Sequence, residues 1–360
     1  MRETPVDRRT VLAGIACVTG SVSGCIRTTA QPPGEGGGGS NGGGSSKLLK
    51  VGGSSTVFPI TQRAASYWGA NYPPTDLEYW GPSQYGITTD KRLTDYWASK
   101  YGFEAREDGN PPFEVTVSLS HSGTGLEKLK AGQTDVANAS APVDAEFPEM
   151  SQSELEAFTN HVVGVDAQPI VVSKEIYDAG VTELSAEQVR GIYRGEITNW
   201  SEIDAYDGPD REIQAVGRSE GSGTDTAFRA NLLGGPNAEM PGVDARKGQN
   251  QQVKTTVANS DNAIAYMALA FVDENSAPPI SLTFQGTTYV PGENLSDPDY
   301  PLSRDLHCYS YEGTSSREAA FLRMVISDFG QEKFVASNGY STLTDDRQQE
   351  EFDRLPDPEQ

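Results

Sequence analysis

At 360 residues the chain is long enough for two ordinary domains around a sizeable buried core, and 36% hydrophobic with 9% aromatic residues describes a globular protein rather than a disordered one. With 51 acidic against 28 basic residues, a net charge of −23, nucleic acid is excluded as an expected partner. So acidic a surface fits concentrated salt, where the Debye length falls to about 3 Å at 1 M and a small anion still approaches.

The N-terminus carries an address. Asp7-Arg8-Arg9-Thr10-Val11-Leu12 is a twin-arginine pattern, and the weakly apolar run Val11 to Ser23 is shorter than the ~20 residues that span a bilayer, so residues 1–24 are expected to be an export signal. Val22-Ser23-Gly24-Cys25 resembles a lipobox, which makes Cys25 the expected site of lipidation. Cys17 would leave with the signal. Cys308 then remains as the sole free thiol, and no intramolecular disulfide forms in the mature chain. Loss of residues 1–24 leaves 25 basic and 49 acidic residues, a net of −24. Residues 25–47 are a Gly/Ser-rich tether; its stretch from Thr28 to Lys47 has a root-mean-square reach of roughly 25 Å. No later stretch approaches the ~20 apolar residues of a membrane span, so the lipid is the one membrane contact expected.

Strands then alternate with helices. Leu48–Gly52 reads as a strand entering the loop Gly53-Ser54-Ser55-Thr56 and a helix near Pro59–Trp68. Phe113–Leu119 is a second strand, followed by "HSGTG" and a helix over Leu126–Lys130 that Gly132 ends. Ser185-Ala186-Glu187-Gln188 is a capping box opening a helix with Val189, Ile192 and Tyr193 on one face. Glu212–Gly217 is a strand running into "GRSEGSGTDTAF" and the helix Thr224–Leu233, and Phe321, Leu322, Val325, Ile326 and Phe329 recur at helical spacing as core. This alternation implies an α/β protein whose ligand sits at the carboxyl ends of the strands.

Three loops share one chemistry. Ser54-Ser55-Thr56, Ser122-Gly123-Thr124-Gly125 and Ser222-Gly223-Thr224 each set small residues and hydroxyls between a strand and a helix N-terminus, where free N–H groups and the helix dipole favour an anion. One such loop is ordinarily a cap; three together point to an oxyanion site, and Arg218 adds a forked, permanently charged donor. A P-loop needs lysine where Thr224 stands, and a dinucleotide fingerprint needs glycine where Lys128 stands. Gly217-Arg218-Ser219-Glu220-Gly221 also fits G-x-S-x-G, and Ser219, Asp261 and His307 follow the order of an α/β-hydrolase triad, so a serine hydrolase is the alternative reading. The second glycine-flanked serine is nothing an elbow requires, and the chain is read as a binding protein and not an enzyme. His121, His161 and His307 lack metal-ligand spacing; no metal or cofactor is expected.

Six blocks, "VGGSSTVFPI", "SHSGTGLEKLKAGQTDVANASAP", "LSAEQVRGIYRGEITNW", "GRSEGSGTDTAF", "NAIAYMALAF" and "FGQEKFVASNGYSTL", resemble the substrate-binding lipoprotein of the high-affinity phosphate ABC importer over most of Leu48 to Leu343. The resemblance implies a two-lobed periplasmic-binding-protein fold, each lobe a mixed sheet flanked by helices, joined by two crossing segments. Lobe 1 would comprise 48–164 and 270–345, with an insertion at about 71–112; lobe 2 would be 165–269, and 346–360 an acidic tail. It implies capture of inorganic phosphate by Thr56, Val57, Phe58 and Ser122 from the first lobe and Arg218, Ser222, Gly223 and Thr224 from the second, with Ser140 at the remaining contact position. Bacterial members carry an aspartate in the place of Ser140 that accepts the phosphate's proton and so rejects sulfate; a serine discriminates less. Glu220 stands where the family has a shorter aspartate beside the arginine. Another oxyanion, such as sulfate, molybdate or tungstate, is the alternative ligand. The implied partners are an ABC permease with its ATPase; the implied state is a monomer, lipid-anchored at the extracellular face of the membrane, and the acidity points to a halophilic archaeal source. The aromatic-rich insertion is expected to cover exposed core, and Asn199-Trp200-Ser201 and Asn294-Leu295-Ser296 are glycosylation sequons.

Overall fold

The structure is a computed structural model describing residues 48–295, 297 and 299–358. The export signal, Cys25 and the tether fall outside the described residues.

Four strands open the first lobe: β1 (Leu48–Ser54), β2 (Glu114–Ser120), β3 (Val136–Ala139) and β4 (Phe158–Ala167). The chain then crosses into β5 (Ile170–Val172), β6 (Glu183–Ser185), β7 (Gln214–Arg218), β8 (Ala245–Lys247), β9 (Ala263–Tyr266), β10 (Pro279–Phe284) and β11 (Thr287–Tyr289), and returns in β12 (Ser303–Tyr311). The first sheet runs β2-β1-β3-β12-β4, with β1 parallel to β2 and β3 and β12 antiparallel to β3 and β4. The second runs β11-β10-β5-β9-β7-β8, with β6 pairing β10. Both sheets are mixed and flanked by helices, so the fold is the expected α/β pair of lobes.

Local chemistry sets the helices. Asn71 ends the helix Phe58–Ala70 in the left-handed region (φ 43°), a conformation asparagine tolerates better than most residues. Ser185 accepts from Gln188 N–H at 3.1 Å while its own N–H donates to the Gln188 side chain at 2.8 Å, closing the predicted capping box of the helix Ala186–Tyr193. The helix predicted from Leu126 begins earlier, at Ser122, so the small residues of that loop form its first turn. The apolar stripe near the C-terminus lies on the helix Ser316–Ile326 and the turn after it, and Phe321, Leu322, Val325, Ile326 and Phe329 are all fully buried in the first lobe's core.

Two boundaries differ from the sequence reading. Residues after 269 do not return at once to lobe 1: β10 and β11 hydrogen-bond in the second sheet, and Leu295, Tyr300 and Leu302 pack in its core. The return comes at β12, where Gln168 N–H donates to the Leu302 carbonyl at 3.0 Å and ties the two crossing segments together. Residues 346–360 are not only a tail, because the helix Asp345–Asp353 carries Phe352, and Leu355 follows, onto the first lobe's core. The insertion is packed in the same way: Trp80 and Leu93 are fully buried, Trp80 meets Phe329 edge-on at 5.2 Å, and Asn71 anchors it by accepting from Thr94 N–H at 2.9 Å. Burying such side chains contributes about 1.5–3 kcal/mol each, so this segment is part of the lobe's stability.

Candidate oxyanion site

The carboxyl ends of five strands meet where the lobes touch. β1 ends at Ser54 and delivers Ser55 and Thr56; β2 leads to Ser122; β3 leads to Ser140; β7 ends at Arg218; β8 leads to Asn250, the first residue of the helix Asn250–Ala258. Such an edge is where an α/β sheet presents its loops to a ligand.

The predicted residues converge there. Thr56, Ser122, Ser140, Arg218, Ser222 and Thr224 are all at most 2% exposed, and Gly223 is buried with them. Thr56 and Thr224 share a hydroxyl–hydroxyl hydrogen bond of 3.0 Å across the seam, and Gly223 N–H donates to Ser122 Oγ at 3.2 Å. Ser54 donates to Ser140 Oγ at 2.9 Å, and Ser140 N–H to Ser122 Oγ at 3.2 Å. Val57 and Phe58 stand at the N-terminus of the helix Phe58–Ala70; Val57 is buried in the core and Phe58 is partly exposed. They stand where the backbone N–H groups of a first helical turn have no intrahelical acceptor. Ser222 is the N-cap residue of the helix Gly223–Phe228.

Arg218 is the electrostatic centre. Its guanidinium donates to Asn250 Oδ1 (2.7 Å), the carbonyls of Gly248 (2.8 Å) and Lys247 (3.1 Å), and Ser55 Oγ (3.2 Å). Every one of these acceptors is neutral. Burial pushes its pKa down to about 10, opposed in part by Tyr266 and Asp225, so the charge is held at a cost that a bound anion would offset. Asp225 does not offset it by contact, because its carboxylate is taken by Arg229 (2.7 Å), Arg246 (3.4 Å) and the Tyr266 hydroxyl. Glu220 does not accompany the arginine as the resemblance implied: it is exposed.

A second guanidinium escaped the sequence reading. Arg304, at the start of β12, pairs with Asp166 at 2.6 Å and reaches Thr56 and Thr224 at 3.3 and 3.2 Å. The signal was present: Arg304 shares its strand face with buried Leu306 and Cys308, and an inward arginine requires a buried partner. Asn250, whose Nδ2 donates to Ser55 and Thr56 at 3.1 Å each, gave no comparable sign.

The alternative triad is not assembled. His307 is bound to Asn160 at 2.9 Å in the first sheet, and burial lowers its pKa to about 4; Asp261 pairs with Arg211 at 2.7 Å at the surface; Ser219 lies in the turn after β7, its N–H bound to the Lys247 carbonyl.

At the rim of the seam, Glu146 reaches Gly123 N–H and, across the lobes, Thr226, with Oε1 shut off from solvent. Burial raises its pKa from 4.5 to about 7. A raised carboxyl penalises the charged form, so closure is undisturbed below pH 4.5 and loses stability as pH rises through 7. Glu146→Gln is expected to stabilise the protein at about pH 8, by on the order of 1 kcal/mol after solvent screening and read as a higher melting temperature, and to leave it unchanged near pH 4.5. Parallel melting curves for parent and variant across that range would refute the assignment.

Comparison with known proteins places the fold. The chain belongs to the PBP superfamily domain family, whose model matches residues 85–328. Among curated proteins it is 27% identical over 236 residues to the phosphate-binding protein PstS of Bacillus subtilis (strain 168), covering 66% of this chain and 73% of that one. It is 26% identical over 254 residues to the phosphate-binding protein PstS of Staphylococcus saprophyticus, covering 68% and 76%. Among solved structures, a Clostridium perfringens protein assigned as a phosphate ABC transporter substrate-binding protein, with bound phosphate, superposes with a TM-score of 0.60 at 20% identity over 82% of this chain and all of that one. An ABC-type phosphate transport receptor from Vibrio cholerae gives 0.51 at 23% identity over the same shares.

Proposed function

We propose that the chain is an extracytoplasmic solute-binding protein that captures inorganic phosphate between its lobes and delivers it to an ABC permease driven by an ATPase. The observation that carries this reading is Arg218, a buried cation with only neutral acceptors, set in a seam of hydroxyls and helix N-termini. The phosphate contacts are Thr56, the backbone at Val57 and Phe58, Ser122, Ser140, Arg218, Ser222, Gly223 and Thr224, and the relatives' phosphate-binding role agrees with that chemistry. The oxyanion takes over the donors that now bridge Thr56 to Thr224 and Gly223 to Ser122. The protein performs no bond-breaking step. Titration of the purified protein with phosphate in a calorimeter tests the reading, and an absence of heat at millimolar phosphate would overturn it.

Residues 1–24 direct twin-arginine export, Cys25 carries the lipid, and the monomer works tethered at the extracellular face of a halophile's membrane. Among the described residues no helix is long and apolar enough to cross a membrane. Cys25→Ser is expected to move the protein from the membrane fraction into the medium; a variant that still sediments with membranes contradicts the anchor.

A further inference from the structure

Resting on the phosphate reading, we propose that Arg304, held by Asp166, is a specificity-determining residue that fixes the Thr56 and Thr224 hydroxyls at the centre of the cradle as donors, so that the site selects a tetrahedral oxyanion by its charge and sulfate competes with phosphate.

Arg304 and Asp166 stand opposite each other in the β12–β4 register, one on each crossing segment. Arg304 Nε and Nη2 donate to Asp166 Oδ2 at 3.0 and 2.6 Å. Nη1 donates to the carbonyls of Ser140 in lobe 1 (3.1 Å) and Gly223 in lobe 2 (3.0 Å), and Nη2 to the hydroxyls of Thr56 and Thr224. One side chain at the hinge thus binds both walls of the site.

A hydroxyl offers one proton and two lone pairs. Thr56 Oγ1 accepts from Arg304 and Asn250, so its proton is what it has left to give. Thr224 Oγ1 accepts from Arg304 and Thr56 and is likewise left a donor. Ser55 Oγ accepts from Arg218 and Asn250. Ser122 Oγ accepts from Ser140 N–H and, until an oxyanion takes that donor, from Gly223 N–H, and Ser140 Oγ accepts from Ser54. Asn250 Oδ1 is filled by Arg218 and Ala268 N–H, and Asp166 turns Oδ1 to Leu269 N–H and Oδ2 to Arg304. When an oxyanion replaces the Thr56–Thr224 bond, Arg304 keeps a lone pair of each threonine and their protons stay turned to the ligand. Neither threonine then has a lone pair left to accept a proton from the ligand. An oxyanion that still carries a proton therefore gains nothing from it at either threonine, and the Arg218 guanidinium, which has only neutral acceptors, favours the higher charge.

Calorimetry on the purified protein with phosphate and with sulfate, at fixed salt, tests this. Sulfate is expected to bind within about tenfold of phosphate at neutral pH, and the phosphate-to-sulfate affinity ratio to rise roughly tenfold from about pH 6 to about pH 8 as phosphate loses its second proton. Sulfate keeps its charge over that range, so its own pH dependence reports the titrations of Glu146, His121, Asp225, Tyr266 and His307 around the site. The neutral pair Asp166→Asn with Arg304→Gln frees the threonine lone pairs without stranding a charge, and is expected to raise the ratio at neutral pH at least about fivefold and flatten its pH dependence. Phosphate binding that a hundredfold excess of sulfate fails to disturb overturns the inference and leaves the phosphate reading intact. Binding of neither anion overturns the phosphate reading itself. A folded double variant with the parent's ratio removes Arg304 from the explanation; if that variant does not fold, the parent's ratio and its pH dependence still decide.

Discussion

Arg218→Ala is expected to weaken phosphate binding by at least about 2 kcal/mol, roughly thirtyfold, because it removes a charge-assisted donor whose hydrogen bonds to an anion contribute about 1.5–3 kcal/mol each. The structure sharpens the reason. Four neutral acceptors hold the guanidinium in place, so its position is fixed before any anion arrives. Such preorganisation spares the ligand the cost of ordering the side chain. Arg218→Lys is expected to recover only part of the loss, since an ammonium cannot donate at once to Asn250, Gly248 and the ligand in the planar geometry of the fork. Ser140→Ala should cost less and chiefly shift the phosphate-to-sulfate ratio, because Ser140 is one hydroxyl in a chain that begins at Ser54. Calorimetry of the three variants against phosphate, arsenate and sulfate at fixed high salt reads all of this; phosphate affinity unchanged in Arg218→Ala would remove the arginine from the site. Asn250 and Gly248 should leave that fork intact in Ser140→Ala, so the two variants separate charge from hydroxyl.

Local sequence carried the parts of this site that local rules govern. A hydroxyl after a strand and before a helix is legible because capping and the exposed N–H groups of a first turn depend on neighbours in sequence. Thr56, Ser122 and Thr224 are found that way, and all three are fully buried where the lobes meet. Arg304 and Asp166 were not, because their meaning is a pairing 138 residues apart that only the β12–β4 register creates. The lobe boundary failed for a similar reason. Nothing local to β10 says that it pairs with β5 and β6 instead of returning to the first sheet. The elbow pattern shows the opposite error: Gly217 to Gly221 satisfies a local motif whose partners, Asp261 and His307, the fold sends to a surface ion pair and to the other sheet. Long-range register decides those three cases.

Gly223 is where the absence of a side chain matters most, and Gly223→Ala is expected to weaken phosphate binding by roughly 2–3 kcal/mol without unfolding either lobe. A Cβ built there falls inside contact distance of Ser122 Oγ, 2.7 Å from Ser140 Oγ and 2.9 Å from the backbone nitrogen of Ala141. All three neighbours belong to the opposite lobe, and Ala141 N cannot rotate out of the way. The added methyl therefore meets the opposite lobe first, and acts as a wedge between the two. Closure would break the Gly223–Ser122 bond and lengthen the Thr56–Thr224 contact, so the donors from the two lobes no longer converge on one anion. Gly235→Ala is the matched control, since a Cβ there meets nothing within 4 Å. Calorimetry with phosphate, paired with small-angle scattering, separates the steps: Gly223→Ala should bind weakly and fail to contract to the parent's radius of gyration on saturation, whereas Gly235→Ala should match the parent in both. Phosphate affinity within twofold of the parent in Gly223→Ala would mean that the ligand does not require the lobes to meet at Gly223.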